Sequence, residues 1–133
     1  MMLPNKSTPH IIRAAAVTTT SYVEGTVVSV DEANMIGLQI SIVKNDETSF
    51  EFKVESSIDG GTTFAQQVTV STSGGTTTIV PGIYTVTGAS LAATQLITLI
   101  INPIKADQIK VSTKSTGGTP TGTVAIKAIT GWV

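Results

Sequence analysis

The run Ser49-Phe50-Glu51-Phe52-Lys53-Val54-Glu55-Ser56-Ser57, continued by Ile58-Asp59-Gly60-Gly61 and Thr62-Thr63-Phe64-Ala65-Gln66-Gln67-Val68, decides the fold. Its first half alternates strictly. Phe50, Phe52, Val54 and Ser56 fall on one side, and Glu51, Lys53, Glu55 and Ser57 on the other. A period of two is that of a half-buried β-strand with one wet face. Asp59-Gly60-Gly61 then supplies residues that tolerate positive φ, so a tight hairpin is expected there.

Working outward, the same reading recurs. Thr26–Val30 reads as a strand, with a turn at Asp31-Glu32-Ala33-Asn34. Met35–Lys44 follows, with Ile36, Leu38, Ile40 and Ile42 on one face. Val68 and Val70 continue a strand beyond the hairpin, and Pro81-Gly82 breaks the next one, which marks an edge. Gly88–Thr94 reads as a loop with one helical turn. Leu96–Ile101 is apolar on both faces, so cover is expected on both sides, from a second sheet and from a neighbour. Ile109, Val111 and Thr113 point one way and Lys110, Ser112 and Lys114 the other. Val124, Ile126 and Ala128 form the last inward set. About eight short strands with frequent turn signals imply an all-β protein: an antiparallel, jelly-roll-like β-sandwich.

Composition agrees. The chain has 133 residues, is 41% hydrophobic and only 13% charged. The second figure is low against about 25% in ordinary domains. Thr and Ser take the place of the charge, and β-branched residues suit pleated surfaces. The length supports one domain at 22–133 with a core that needs no staples. Residues 1–21, with Pro4, Pro9, His10 and Ala14-Ala15-Ala16, show no period and read as an extended N-terminal arm. Its Ile11, Ile12 and Val17, beside Arg13, would gain by burial against a neighbouring subunit. Trp132, beside the C-terminus, either plugs the end of the core or anchors a partner.

Several functions are disfavoured. Net charge is −1, and the eight Lys and Arg are scattered singly, so direct nucleic-acid binding is not expected. No stretch reaches membrane-spanning length and no signal-peptide core is present. Zero cysteines exclude disulfides and thiolate chemistry. His10 lies in the arm, away from any packed triad. The acids Glu24, Asp31, Glu32, Asp46, Glu47, Glu51, Glu55, Asp59 and Asp107 fall at turns or on wet faces, which reads as a solvated surface and not as catalytic pairs. Asp31, Glu32 and Asn34, or Asp46 and Glu47, offer too few oxygens for Ca²⁺. Neither cofactor nor metal is expected, and the chain reads as no enzyme. So uncharged a surface is weakly protected against association, which favours a homo-oligomer.

Ser57, Asp59, Gly61, Thr63 and Phe64 resemble the Asp-box, a Ser-x-Asp-x-Gly-x-Thr-Trp hairpin of sialidases and many unrelated β-proteins, with Phe64 in place of Trp. A single copy builds no propeller; it stabilises a turn by carboxylate-to-N–H bonds. More broadly, Glu51–Phe64 together with Ala106-Asp107-Gln108-Ile109-Lys110-Val111-Ser112 resembles small β-sandwich virion proteins of tailed bacteriophages, of the decoration, head-fibre or neck type. The resemblance implies a structural protein of the virion, made in the host bacterial cytoplasm, that touches capsid or neck proteins. It carries over no functional residues. The alternative on the same sandwich is a carbohydrate-binding or host-adhesion module, for which Tyr22, Tyr84 and Trp132 are the rings available to stack on sugars.

Overall fold

The computed structural model of the chain describes residues 9–30, 33, 35–66, 68–81, 83–87, 93–101 and 106–131. Twelve strands occur in them and no helix. They are β1 (His10–Val17), β2 (Val23–Glu24), β3 (Val28–Ser29), β4 (Met35–Val43), β5 (Ser49–Ser57), β6 (Ala65–Gln66), β7 (Val68–Ser73), β8 (Thr76–Pro81), β9 (Ile83–Thr87), β10 (Thr94–Ile101), β11 (Gln108–Thr116) and β12 (Thr123–Gly131). One sheet has the order β1-β12-β4-β10. The second runs β2-β11-β5-β6, with β3 also on β11 and β9 also on β5. The third sheet is the hairpin β7-β8. All pairings are antiparallel.

The alternation becomes the core. Phe50, Phe52 and Val54 of β5 and Ile109 and Val111 of β11 are buried in the same cluster as Ile36, Leu38, Ile40 and Ile42 of β4 and Val124, Ile126 and Ala128 of β12. Two facing sheets, each turning its apolar residues inward, make a β-sandwich. Apolar area removed from water is the main favourable term in such a core, and the two phenylalanines are its largest fully buried side chains.

Three expectations change. The arm does not stand apart over its second half: His10–Val17 is an edge strand on β12, and Ile12 lies in the core at 1% exposure. Register shifts at Ile11/Arg13 and Arg13/Ala16 erase the period of two, so the strand cannot be read from sequence. The hairpin after β5 is not tight. Ser56 pairs with Ala65, so a loop lies between β5 and β6. Val68 and Val70 do not continue the main sheet but begin the separate hairpin. The loop and helical turn expected at Gly88–Thr94 lie, up to residue 92, outside the described residues.

One side of the sandwich is stitched closed. The Gly25 amide donates to the Val111 carbonyl at 2.9 Å and the Thr26 amide to the Ile12 carbonyl at 2.7 Å. Neighbouring residues thus bond to opposite sheets. A Cβ on Gly25 would meet Ile12 Cγ2 at 2.6 Å and two carbonyl oxygens at 2.9 Å, so only glycine fits. The buried Thr18 hydroxyl donates to Ser115 Oγ at 2.8 Å nearby.

The opposite side of the second sheet is made by an interrupted strand. Gln66 pairs with Glu55, and Ile83 with Lys53, so β9 resumes the line that β6 left. The hairpin Val68–Pro81 is inserted between β6 and β9, and β7 and β8 pair with nothing but each other among the described residues. Replacing residues 67–82 by a single glycine, set opposite Val54, is expected to leave the sandwich folded with its urea midpoint little changed. A large fall in that midpoint would show that the hairpin supports the core.

Candidate functional site

The outsides of the two sheets differ in kind. On the second sheet, Lys114 faces Glu51 across the strands with Nζ–Oε2 at 3.2 Å, and Lys110 reaches Glu24 at 2.9 Å. Lys53 sits 3.5 Å from Glu55 on its own strand. The Lys110 hydrogen bond and charge hold the Glu24 carboxyl below its ordinary range. Tyr22 lies under this ladder, with Lys53 and Lys114 at 4.7 and 4.8 Å from its ring centre. Burial, and then Glu51, push its phenol up. Phe64 is covered by Lys110 at 4.6 Å. Such exposed pairs contribute little stability each, but they leave this face internally satisfied. Two of the three rings proposed for sugar stacking have protein neighbours: Tyr22 is half-buried beneath two lysines, and Tyr84, also half-buried, packs on the core. Trp132 lies outside the described residues.

The Asp-box residues meet as that motif requires. The Ser57 hydroxyl donates to Asp59 Oδ1 at 2.7 Å and accepts the Gly61 amide at 2.9 Å; the Thr63 amide donates to Asp59 Oδ1 at 2.9 Å. These bonds hold the Asp59 carboxyl below its ordinary range, the Thr63 amide first. Gly60 and Gly61 take φ of 73° and 91°, which side chains resist. Phe64 packs outward under Lys110, not into the core. The structure also joins the two stretches that carried the phage resemblance. The Gly60 amide donates to Asp107 Oδ2 at 3.1 Å, and the Asp107 amide to the Ser57 carbonyl at 2.8 Å.

Glu47 departs from the reading of a solvated acid. It is buried, at 1% exposure. Its Oε2 accepts the Asn45 amide at 2.7 Å, and its Oε1 accepts the Gly122 amide. Both oxygens of Asp46 accept the Thr119 amide, at 3.0 and 2.9 Å. The turn between β4 and β5 thereby grips the turn between β11 and β12. Among the described residues no three His, Cys, Asp or Glu converge as a metal would need. Asp31, Glu32 and Asn34 lie outside them.

The outer face of the first sheet carries exposed apolar side chains on either side of a polar row, Thr98, Gln39 and Lys127, that runs across β10, β4 and β12. Leu96 and Ile100 of β10 are 64% and 62% exposed, and Ile129 of β12 and Val43 of β4 are about half exposed. Ile100, Gly37 and Ile129 lie side by side across three strands. The side chain missing at Gly37 leaves a groove of about 390 Å³ between the two isoleucines, reaching Met35 and Thr98. Pro9 approaches this side and shares a groove with Thr98, Gln39 and Lys127, but no described strand supplies the expected cover over Leu96 and Ile100. Of the proposed interaction residues, Ile11 and Val17 are exposed on β1 and Ile12 is not. Arg13 donates to the carbonyls of Val124 on β12 and of Ala16 and Val17 on its own strand. Residues 60–104, which include β6 to β10, hold no charged side chain at all. That signal was present in the sequence and gains meaning once β10 is known to be an edge.

An antiparallel β-sandwich is the class that the geometry defines. No protein-family model matches the chain, and no curated protein does. Among solved structures it is similar to the SPBc2 prophage-derived protein YomS, at 16% identity and a TM-score of 0.52, over 98% of this chain and 97% of that one. At that identity the likeness speaks for the fold.

Two outcomes test the local architecture. The unfolded chain binds a proton at Asp59 more tightly than the folded one, so stability from this turn is present above the ordinary carboxyl pKa near about 4 and is lost as pH falls through the lower folded value. The gap in unfolding free energy between wild type and Asp59→Asn should therefore be open at neutral pH and close in acid; a gap that widens in acid contradicts this. Glu47→Ala strands two amides and should cost about 2–4 kcal/mol by denaturant unfolding, with Glu47→Gln costing less.

Proposed function

We propose that this chain is a non-enzymatic structural component of a bacteriophage particle, a capsid decoration, auxiliary or head–neck protein that acts through contacts with neighbouring virion proteins and with copies of itself. The observation that carries this reading is the contrast between the outer faces. A soluble monomer gains nothing from exposing Leu96 and Val43 on one side of the Thr98–Gln39–Lys127 row and Ile100 and Ile129 on the other. A protein held in an assembly covers such a face.

Further support comes from the acids. Glu24, Glu51 and Glu55 pair with lysines, and Asp46, Glu47, Asp59 and Asp107 accept backbone amides, so each described carboxylate has structural work. Catalytic carboxyls are instead aimed into a cleft. The strand order supports a jelly roll, which viral capsid proteins use widely: β1, β12, β4 and β10 alternate in the chain with β2 and β3, β11, β5 and β9 between the two sheets. The likeness to a prophage-derived protein points to the same setting. Its place would be the virion, after synthesis in the host cytoplasm.

Purified particles of a phage encoding this chain test the proposal by quantitative mass spectrometry and antibody-gold electron microscopy. The chain should be present in many copies at one structural location. Absence from particles, with the chain abundant in infected cells, overturns it.

A further inference from the structure

We infer that the free edge of β10 is a self-association site, at which a second copy adds its own β10 antiparallel about a two-fold axis through Thr98. This deepens the proposed structural role and rests on it only for the claim that the chain works in an assembly.

The sandwich has four sheet edges, and three are blunted. The β1 edge carries two register shifts and the Arg13 side chain. On the second sheet, β2 and β3 form a broken edge on β11, and β6 and β9 form one split by the hairpin. By contrast β10 pairs all eight of its residues with β4 in unbroken register. It has no charge, no proline and no bulge, and no described strand lies on its far side. Natural proteins guard free edges by those devices, so an unguarded edge of this length is a site for another strand.

The occupant is a second copy because the strand is complementary to itself. An isologous contact sets each residue against its counterpart, so charges there would repel. Residues 60–104 bring none. Both copies keep their outer faces on one side of the joined sheet if residues of like facing stand opposite each other. Centring on Thr98 satisfies this. Leu96 then faces the partner copy's counterpart of Ile100 on the outside, Thr98 faces its own counterpart, and Ile97 meets the counterpart of Leu99 on the inside. Apolar residues meet apolar ones, and threonine meets threonine, throughout the central pairs.

The core gives a second, separate reason. Where the sandwich is closed, at β1 and β2, Ile12 and Val111 are fully buried. On the β9–β10 side the inward residues Tyr84, Val86, Ile97 and Leu99 pack on the core and remain only partly covered. A copy placed edge to edge at β10 completes the cover of this open flank.

The chain has no cysteine, so one introduced thiol reports alone. In the proposed register the two Thr98 Cα atoms lie about 4.5–5.5 Å apart, within disulfide reach. The two Leu96 positions lie about 13 Å apart, out of reach. With the full chain under mild oxidation, Thr98→Cys should form covalent dimer on the order of tenfold faster than Leu96→Cys, and the double variant Leu96→Cys/Ile100→Cys should also cross-link. In light scattering the unmodified chain should show twice the 13.7 kDa protomer mass. Thr98→Lys, folded by circular dichroism, should raise the dimer dissociation constant at least about tenfold. Equal cross-linking at both single positions, or a dimer indifferent to Thr98→Lys, overturns the proposal. So does a monomer whose β10 becomes reactive only when residues 1–8 are deleted, since the edge would then belong to the chain's own N-terminal segment. A monomer in solution that still occupies purified particles sinks this pairing and spares the structural role. A β10-linked dimer absent from particles does the reverse.

Discussion

Everything in this molecule depends on one apolar contact between two layers, the inward row of β5 pressed against the inward row of β4. Phe50, Phe52 and Val54 cannot face water on the same side as their neighbours Glu51, Lys53 and Glu55, because the pleat sends successive side chains to opposite faces. The second layer answers with Ile36, Leu38, Ile40 and Ile42, each at 2% exposure or less. A slip of one residue in either central strand would turn its whole apolar row outward, so the register of the sandwich is fixed by burial.

That constraint divides the surface. The charged outward residues of β5 and β11 are Glu and Lys, paired across or along the strands, and their lysines lie over the rings of Tyr22 and Phe64. The outward residues of β10 are Thr94, Leu96, Thr98 and Ile100, beside Gln39 and Ser41 of β4, and no described strand covers Leu96 or Ile100. The two faces of one domain thus differ: one is laced with ion pairs, and the other leaves Leu96, Ile100 and Ile129 exposed. The turns follow the same logic of local satisfaction. Asp59, Asp107, Asp46 and Glu47 all spend their carboxylates on backbone amides, which fixes loops in a chain that has no disulfides to do so.

Much of the fold was legible in the sequence because the four long strands β4, β5, β11 and β12 alternate cleanly. Strand β1 was hidden by its two bulges, which break the period that pattern reading depends on. The separate hairpin β7–β8 was hidden because Val68 and Val70 look like any strand, and only pairing shows that β9 resumes the edge left by β6. The burial of Glu47 had no local signal, since its cover comes from Gly122 in a distant turn. The run Leu96–Ile101, apolar on both sides, lay in plain view, but which of its side chains stay exposed depends on β10 being the end of its sheet among the described strands.

The account's central claim is that association covers the first sheet at β10 and leaves the charged ladder bare. Hydrogen–deuterium exchange on the intact chain, compared between dilute and concentrated solution, tests it most directly. The account predicts that amides of residues 94–101 slow with concentration while those of β5 and β11 exchange at unchanged rates. Slowing confined to β5 and β11, or no change along β10 in a sample shown to be associated, would contradict it.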